Sequence, residues 1–306
     1  MKTKSVILLL IAFLLLPERS LPQPQDTNWV KNNTWYFDNF KDTLLPWSLF
    51  RETFTGVAPE RSGDFDQIFY EQLYKTILAS PGHCFGMCVL ALLIKKNGGY
   101  LGFCYPPYKY SGTIYSGGVE DTIGPADLTL KTAIAMVHGN QINHGFLLFL
   151  LDVIAEGKNR DGNYAYRQVE YYLAKDDPPV ISITKNINPA DGGHVLIPYF
   201  TEDLGIAKRI YVYDPNYSFY AKGPQKGHEF YTSGSNYIEI DSDGSWDYIK
   251  DYPIIPTNPK NWSGSPKGGG NCIVIPLSVA GKKDRLPQSL FADVWEAINK
   301  IFIFGY

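Results

Sequence analysis

The stretch from Cys84 to Ile94 (CFGMCVLALLI) has no polar side, and it limits what this chain can fold into more than any other segment. It follows the turn-forming Pro81-Gly82-His83 and ends at Lys95-Lys96-Asn97-Gly98-Gly99. That ending is a helix stop: basic residues in the last turn, then glycines able to take the left-handed C-cap conformation. A helix with no polar face must be surrounded, so the pattern predicts a buried helix over Cys84–Lys96. Cys84 stands at its N-terminus, where open backbone N–H groups and the helix dipole favour negative charge. A thiol there, with a histidine nearby, can have its pKa lowered from about 8.5 to between roughly 3.5 and 7.5, and the thiolate is the attacking species. Cysteine is equally at home in a core. Cys88, a full turn inside the helix, fits that second description better than Cys84.

Lys2 and Lys4 precede the apolar run Val6–Leu16 and then Pro17-Glu18-Arg19. This reads as a secretory signal peptide over residues 1–22, with cleavage between Ser20 and Gln25; the run is shorter than the ~20 residues that span a bilayer. The expectation is an exported protein, extracellular or periplasmic, with no membrane attachment after signal removal, in a compartment that permits disulfides. The 306 residues, 44% of them hydrophobic, suffice for one large domain,. We expect it over 23–285, with an aromatic-rich N-terminal flank and a closing helix within 286–306. A net charge of −3 carries no nucleic-acid footprint,.

Residues 28–54 hold many Trp, Tyr and Phe and read as an irregular segment laid across a core, an integral flank and not a propeptide. Phe69, Leu73 and Ile77 mark a helix within Phe65–Leu78. Cys104–Gly124 is a loop dense in Tyr, Pro and Gly. Helices are expected over Ala126–Val137, Asn143–Ala155 and Tyr164–Ala174. The period then changes to strands at Val180–Thr184, His194–Phe200, Arg209–Tyr213, Tyr237–Ile240, Trp246–Lys250 and Cys272–Leu277. Gly264–Gly270 reads as a flexible loop, and Asp241–Asp247 as a turn and not a calcium loop. Helices first and antiparallel strands after are the order of an α+β domain.

Five histidines are available. His83 adjoins Cys84 and reads as a turn or cleft residue. His138 and His144 flank a helix link, with capping or solvation as their expected job and no metal-ligand spacing. His228 is expected in a polar loop. His194 opens a strand after Gly192-Gly193, and the next strand ends at Tyr213-Asp214-Pro215-Asn216. Two adjacent antiparallel strands would set His194 beside Asp214. A carboxylate on one ring nitrogen fixes the tautomer and leaves the other to take a thiol proton. Asn216 could orient the ring instead. Cys104 and Cys272 could form a disulfide, though sequence does not fix connectivity.

Gly82-x-Cys84-Phe85-Gly86-Met87 at a helix start, Pro178-Pro179-Val180-Ile181-Ser182-Ile183, Gly193-His194 and Val212-Tyr213-Asp214-Pro215 together resemble the papain-like superfamily of cysteine peptidases. The pattern is nearest to bacteriocin-leader-processing peptidases and related secreted bacterial proteins. The resemblance covers roughly Phe69–Asn216. It implies a papain-like α+β fold with a helical half packed on an antiparallel sheet. It also implies Cys84 as nucleophile, His194 as base then acid and Asp214 as orienter, with His83, Gly193 and Asn216 about the site. A peptide or protein substrate and no cofactor follow from it. The family's Gln ahead of the nucleophile is absent, since Leu78 occupies that position; the Cys84 N–H supplies one oxyanion donor and the second is unassigned. The same triad would serve an acyltransferase or deamidase, and a non-catalytic extracellular binding protein is the alternative from another class.

Overall fold

The computed structural model describes residues 27–41, 44–58, 64–78, 82–110, 124–186, 193–219, 227–248 and 262–288. The signal peptide and all but the first residues of the expected C-terminal helix lie outside them. The helical half comprises α1 (Thr27–Asn33), α2 (Trp47–Thr53), α3 (Asp64–Ile68, running into a π-helical stretch Phe69–Leu78), α4 (Cys84–Asn97), α5 (Leu130–Gly139), α6 (His144–Ala155) and α7 (Gly162–Ala174). The strands follow as β1 (Val180–Thr184), β2 (Gly193–Asp203), β3 (Ala207–Tyr213), β4 (Tyr237–Asp241), β5 (Trp246–Tyr248), β6 (Trp262–Ser265), β7 (Gly268–Gly269) and β8 (Cys272–Ile275). Two short helices, α8 (Gly227–Thr232) and α9 (Leu277–Ala280), and 3-10 turns at Pro107–Tyr110 and Asn140–Ile142 join them. The molecule is α+β.

Every strand pair is antiparallel. The order β7-β6-β5-β4-β3-β2-β1-β8 is a meander whose last strand returns to the far side of β1. The sheet curls, because the residues after β7 reach the end of β1. Thr184 N–H donates to the Asn271 carbonyl at 3.0 Å, and Asn271 N–H donates to Thr184 Oγ1 at 2.8 Å. A Cβ on Gly270 would stand 1.8 Å from the Thr184 carbonyl oxygen, so only glycine allows that approach,.

The central helix is α4. Every residue from Cys84 to Ile94 is buried, and Gly98 caps the helix at φ 70°. Its surroundings explain why it needs no polar face. Against α5, Gly86 lies so close that a Cβ would meet the Ile134 carbonyl oxygen at 2.2 Å. Against the sheet, the Cys88 thiol donates to the Val195 carbonyl of β2 at 3.4 Å. From the N-terminal segment, Trp35 Nε1–H donates to the Met87 carbonyl at 2.8 Å. The flanking helices begin where side chains cap them: Thr129 accepts from Thr132 N–H, Asn143 from Phe146 N–H and Asp161 from Asn163 N–H,.

Several expectations change. The first of the three middle helices starts at Leu130, not Ala126, because Thr129 is its cap. Residues 28–54 contain two short helices. The stretch expected as a loop at Gly264–Gly270 forms most of the β6–β7 hairpin, where Gly269 at φ 87° and the close approach of Gly264 to Trp246 require glycine. The segment 241–245 is a tight turn between β4 and β5, with Gly244 N–H donating to the Asp241 carbonyl. Cys104 and Cys272 are both free thiols, one exposed and one buried, so the disulfide is not formed.

Candidate active site

The rung between Cys88 and Val195 fixes how α4 lies on the sheet. One turn toward the helix start is Cys84; one residue toward the start of β2 is His194. The two therefore meet. His194 Nε2 lies 2.6 Å from Asp214 Oδ1, and the Cys84 side chain is near enough to the ring to help raise its pKa. With Nε2 turned to the carboxylate, Nδ1 is the nitrogen left for the thiol. Cys84, His194 and Asp214 are 1%, 4% and 1% exposed. They form a nearly dry set of thiol, imidazole and carboxylate.

Local structure holds each member. His83 N–H donates to the Phe40 carbonyl at 3.1 Å, and the His83 side chain does not cap α4, whose Gly86 N–H is directed at His138 Nδ1 at 3.4 Å. The N-terminal end of the helix lies at Cys84, suited to a negative sulfur. Gly193 pairs with Thr184 and His194 with Ile183, which anchors the histidine in the middle of a four-residue ladder. Asp214 directly follows β3, whose Tyr213 pairs with Ile197. Its backbone is clamped by Tyr231, whose hydroxyl accepts from Asp214 N–H at 3.0 Å and donates to the Asp214 carbonyl at 3.2 Å.

The carboxylate is fully engaged. Oδ1 accepts from His194 and from Asn216 N–H at 2.7 Å; Oδ2 accepts from the Tyr248 hydroxyl at 2.6 Å. The Asn216 side-chain amide stands 3.3 Å from His194 Nε2 and 3.1 Å from the amide of Asn39. Asp214 makes the 2.6 Å contact with the His194 ring, and Asn216 stands beside it. Asn39 also fills the space over Gly82, where a Cβ would meet its Nδ2 at 2.4 Å. The ring centroids of Trp262 and His194 are 6.1 Å apart, and Lys185 Nζ lies 5.2 Å from the indole centroid.

Electrostatics follow from burial and pairing. Burial works against a charged His194, but the Asp214 charge and hydrogen bond, with a contribution from Cys84, outweigh it and push its pKa from 6.5 up to about 10,. At neutral pH the ring carries a proton next to the Cys84 sulfur. Cys88 is the opposite case: burial drives its thiol well above the usual range, and Cys84 and Asp214 add to that. It is a core thiol.

His83 does not face a cleft. Its ring stacks on Phe40 at 4.9 Å, lies 4.9 Å from the His138 ring, and is 1% exposed. His138 is not solvated either. Gly86 N–H approaches its Nδ1 at 3.4 Å and the Gln141 amide its Nε2 at 3.0 Å; burial, then His83, holds its pKa well below 6.5. His144 heads α6 with Nε2 3.3 Å from Arg285 Nη2, and His228 lies in α8 against Phe219. Tyr248, Tyr231 and Asn39 carry no spacing that ties them to Cys84. For Tyr248 the alternation of buried and half-buried residues in β5 signals only an inward-facing side chain.

Comparison with protein-family models, with curated proteins and with solved structures found no match. The site is defined by its own geometry: a thiol at a helix N-terminus, an imidazole from the sheet and a carboxylate beyond it, the set that acyl transfer through a cysteine requires.

Proposed function

We propose that this chain is an exported thiol hydrolase of papain-like type that cleaves amide bonds in a peptide or protein through Cys84, His194 and Asp214. One observation carries the reading: the His194 ring lies 2.6 Å from the Asp214 carboxylate and next to the Cys84 side chain at the head of α4. The Cys84 thiolate attacks the substrate carbonyl carbon and the carbonyl becomes a tetrahedral oxyanion near the Cys84 N–H. As the C–N bond breaks, His194 gives its proton to the leaving amine and an acyl-cysteine remains. Water, deprotonated by the now neutral His194, adds to the thioester and releases the acid, which restores thiolate and imidazolium. Asp214 keeps the ring in one orientation and stabilises its charge throughout. Burial of Cys84 means that a substrate carbonyl reaches the sulfur only once neighbouring side chains part.

The test is thiol chemistry below neutrality followed by turnover. At pH 6, where an ordinary thiol with a pKa of about 8.5 is under about 1% ionised, iodoacetamide should alkylate Cys84 far faster than Cys88 or the exposed Cys104. The Cys84→Ala chain should lose all hydrolysis of an internally quenched peptide mixture. Labelling of Cys84 no faster than Cys88, or full activity in Cys84→Ala, ends this reading. Added amine acceptors captured on the acyl group would shift it from hydrolase to acyltransferase.

A further inference from the structure

The Asp214 carboxylate has two distinct neighbours. Oδ1 faces His194 and the Asn216 N–H, whereas Oδ2 is given to one side chain, the Tyr248 hydroxyl at 2.6 Å, from a strand two places away in the sheet. Tyr248 is fully buried. A phenol so placed stays protonated and is a permanent donor, since burial and then the Asp214 charge hold its own ionisation well above the usual range.

We propose that Tyr248 is a positioning residue of this site: its hydroxyl draws charge toward Oδ2 of Asp214 and so limits how tightly the carboxylate holds the proton on His194. The inference rests on the hydrolase reading for its consequence, but its physical content is independent of turnover. The other ionisable groups around the pair act differently. Cys84 faces the ring itself; Cys88 lies one turn behind it. Asp38 accepts from Ser218 N–H, Tyr213 is coupled to Asp214 through charge, and Tyr217 meets Asp214 through its backbone N–H, which donates to the Asp214 carbonyl at 3.0 Å. Lys185 Nζ lies over the Trp262 indole, 5.2 Å from its centroid. Tyr231 touches only the Asp214 backbone. Among the described residues, Tyr248 is the one side chain besides His194 that bonds to the carboxylate.

Tyr231 therefore provides an internal control, a second buried phenol on the same residue that does not touch the acid. The experiment follows the His194 ring by proton–carbon NMR across pH in full-length protein, without substrate. Tyr248→Phe should raise the His194 midpoint by about one pH unit, the share of a charge-assisted hydrogen bond returned to the imidazole. Tyr231→Phe should leave it in place whatever it does to stability. Should Tyr248→Phe not fold, 3-fluorotyrosine installed at position 248, a stronger donor of nearly the same shape, should lower the midpoint. Equal shifts in both Phe variants, no shift in Tyr248→Phe, or a shift opposite to these directions would overturn the assignment. A protein with no hydrolytic activity but the expected shifts would instead remove the hydrolase reading and leave the role of Tyr248 standing.

Discussion

His194 holds its proton far more tightly than a free imidazole, and the sign of that shift sets the pH behaviour of the site. Its pKa rises from 6.5 to about 10 on folding. The stability this proton contributes is fully present below about 6.5 and is lost as pH climbs through about 10. The alkaline limb of activity should fall in the same window, because the leaving amine then finds no proton. Asp214→Asn removes the charge that outweighs burial. Burial alone then favours the neutral ring, so the His194 midpoint should drop below 6.5, and Cys84 alkylation at pH 6 to 7 should slow by about tenfold or more. Ring titration and labelling rates measure the two effects separately; a midpoint still near 10 would mean that Asp214 is not the partner that matters.

At the scale of elements, the helix pair α4–α5 decides whether Cys84 arrives in place. Gly86 has no room for a Cβ: the obstruction is the Ile134 backbone carbonyl at 2.2 Å, with His138 Cβ at 2.9 Å. A backbone oxygen cannot swing aside as a flexible side chain does. Gly86→Ala should therefore push the two helices apart and cost about 3 kcal/mol, the upper part of the usual overpacking range. Urea unfolding measures it. Because the first turn of α4 moves with the displacement, alkylation of Cys84 at pH 6 should slow even in the folded fraction. A loss below about 0.5 kcal/mol would show that the helices slide freely and that their close crossing does not locate the thiol.

Across the whole molecule, the N-terminal segment behaves as part of the body. Trp35 is fully buried and bonded to the Met87 carbonyl, Phe40 accepts from His83 N–H, Asp38 accepts from Ser218 N–H at 2.8 Å, and Asn39 N–H donates to the Pro215 carbonyl at 2.7 Å. These contacts tie the helix that carries Cys84 to the loop that carries Asp214 and Asn216. Trp35→Ala should cost about 3–5 kcal/mol, and cleavage within residues 27–41 should weaken the fold without raising Cys84 reactivity. A thiol that becomes more reactive after such cleavage would make the segment an inhibitory flap instead. Among the described residues no helix is long and apolar enough to cross a membrane.

Local pattern was enough for the buried helix, its stop at Gly98, the change from helical to strand period near Val180, and the meeting of His194 with the Asp214–Asn216 turn, because each rests on residues close in sequence. Adjacent strands share a register, so a histidine opening one and an acid closing the next meet without help from the rest of the chain. Packing from distant segments decided the remainder. His83 and His138 are drawn inward against Phe40, the glycines after Trp262 become a hairpin because the curled sheet needs a close approach, and Tyr248 reaches Asp214 from another strand. Side-chain spacing encodes which face an element buries. Which partner waits on that face depends on how the curled sheet and the helices come together, and only the tertiary structure holds that information.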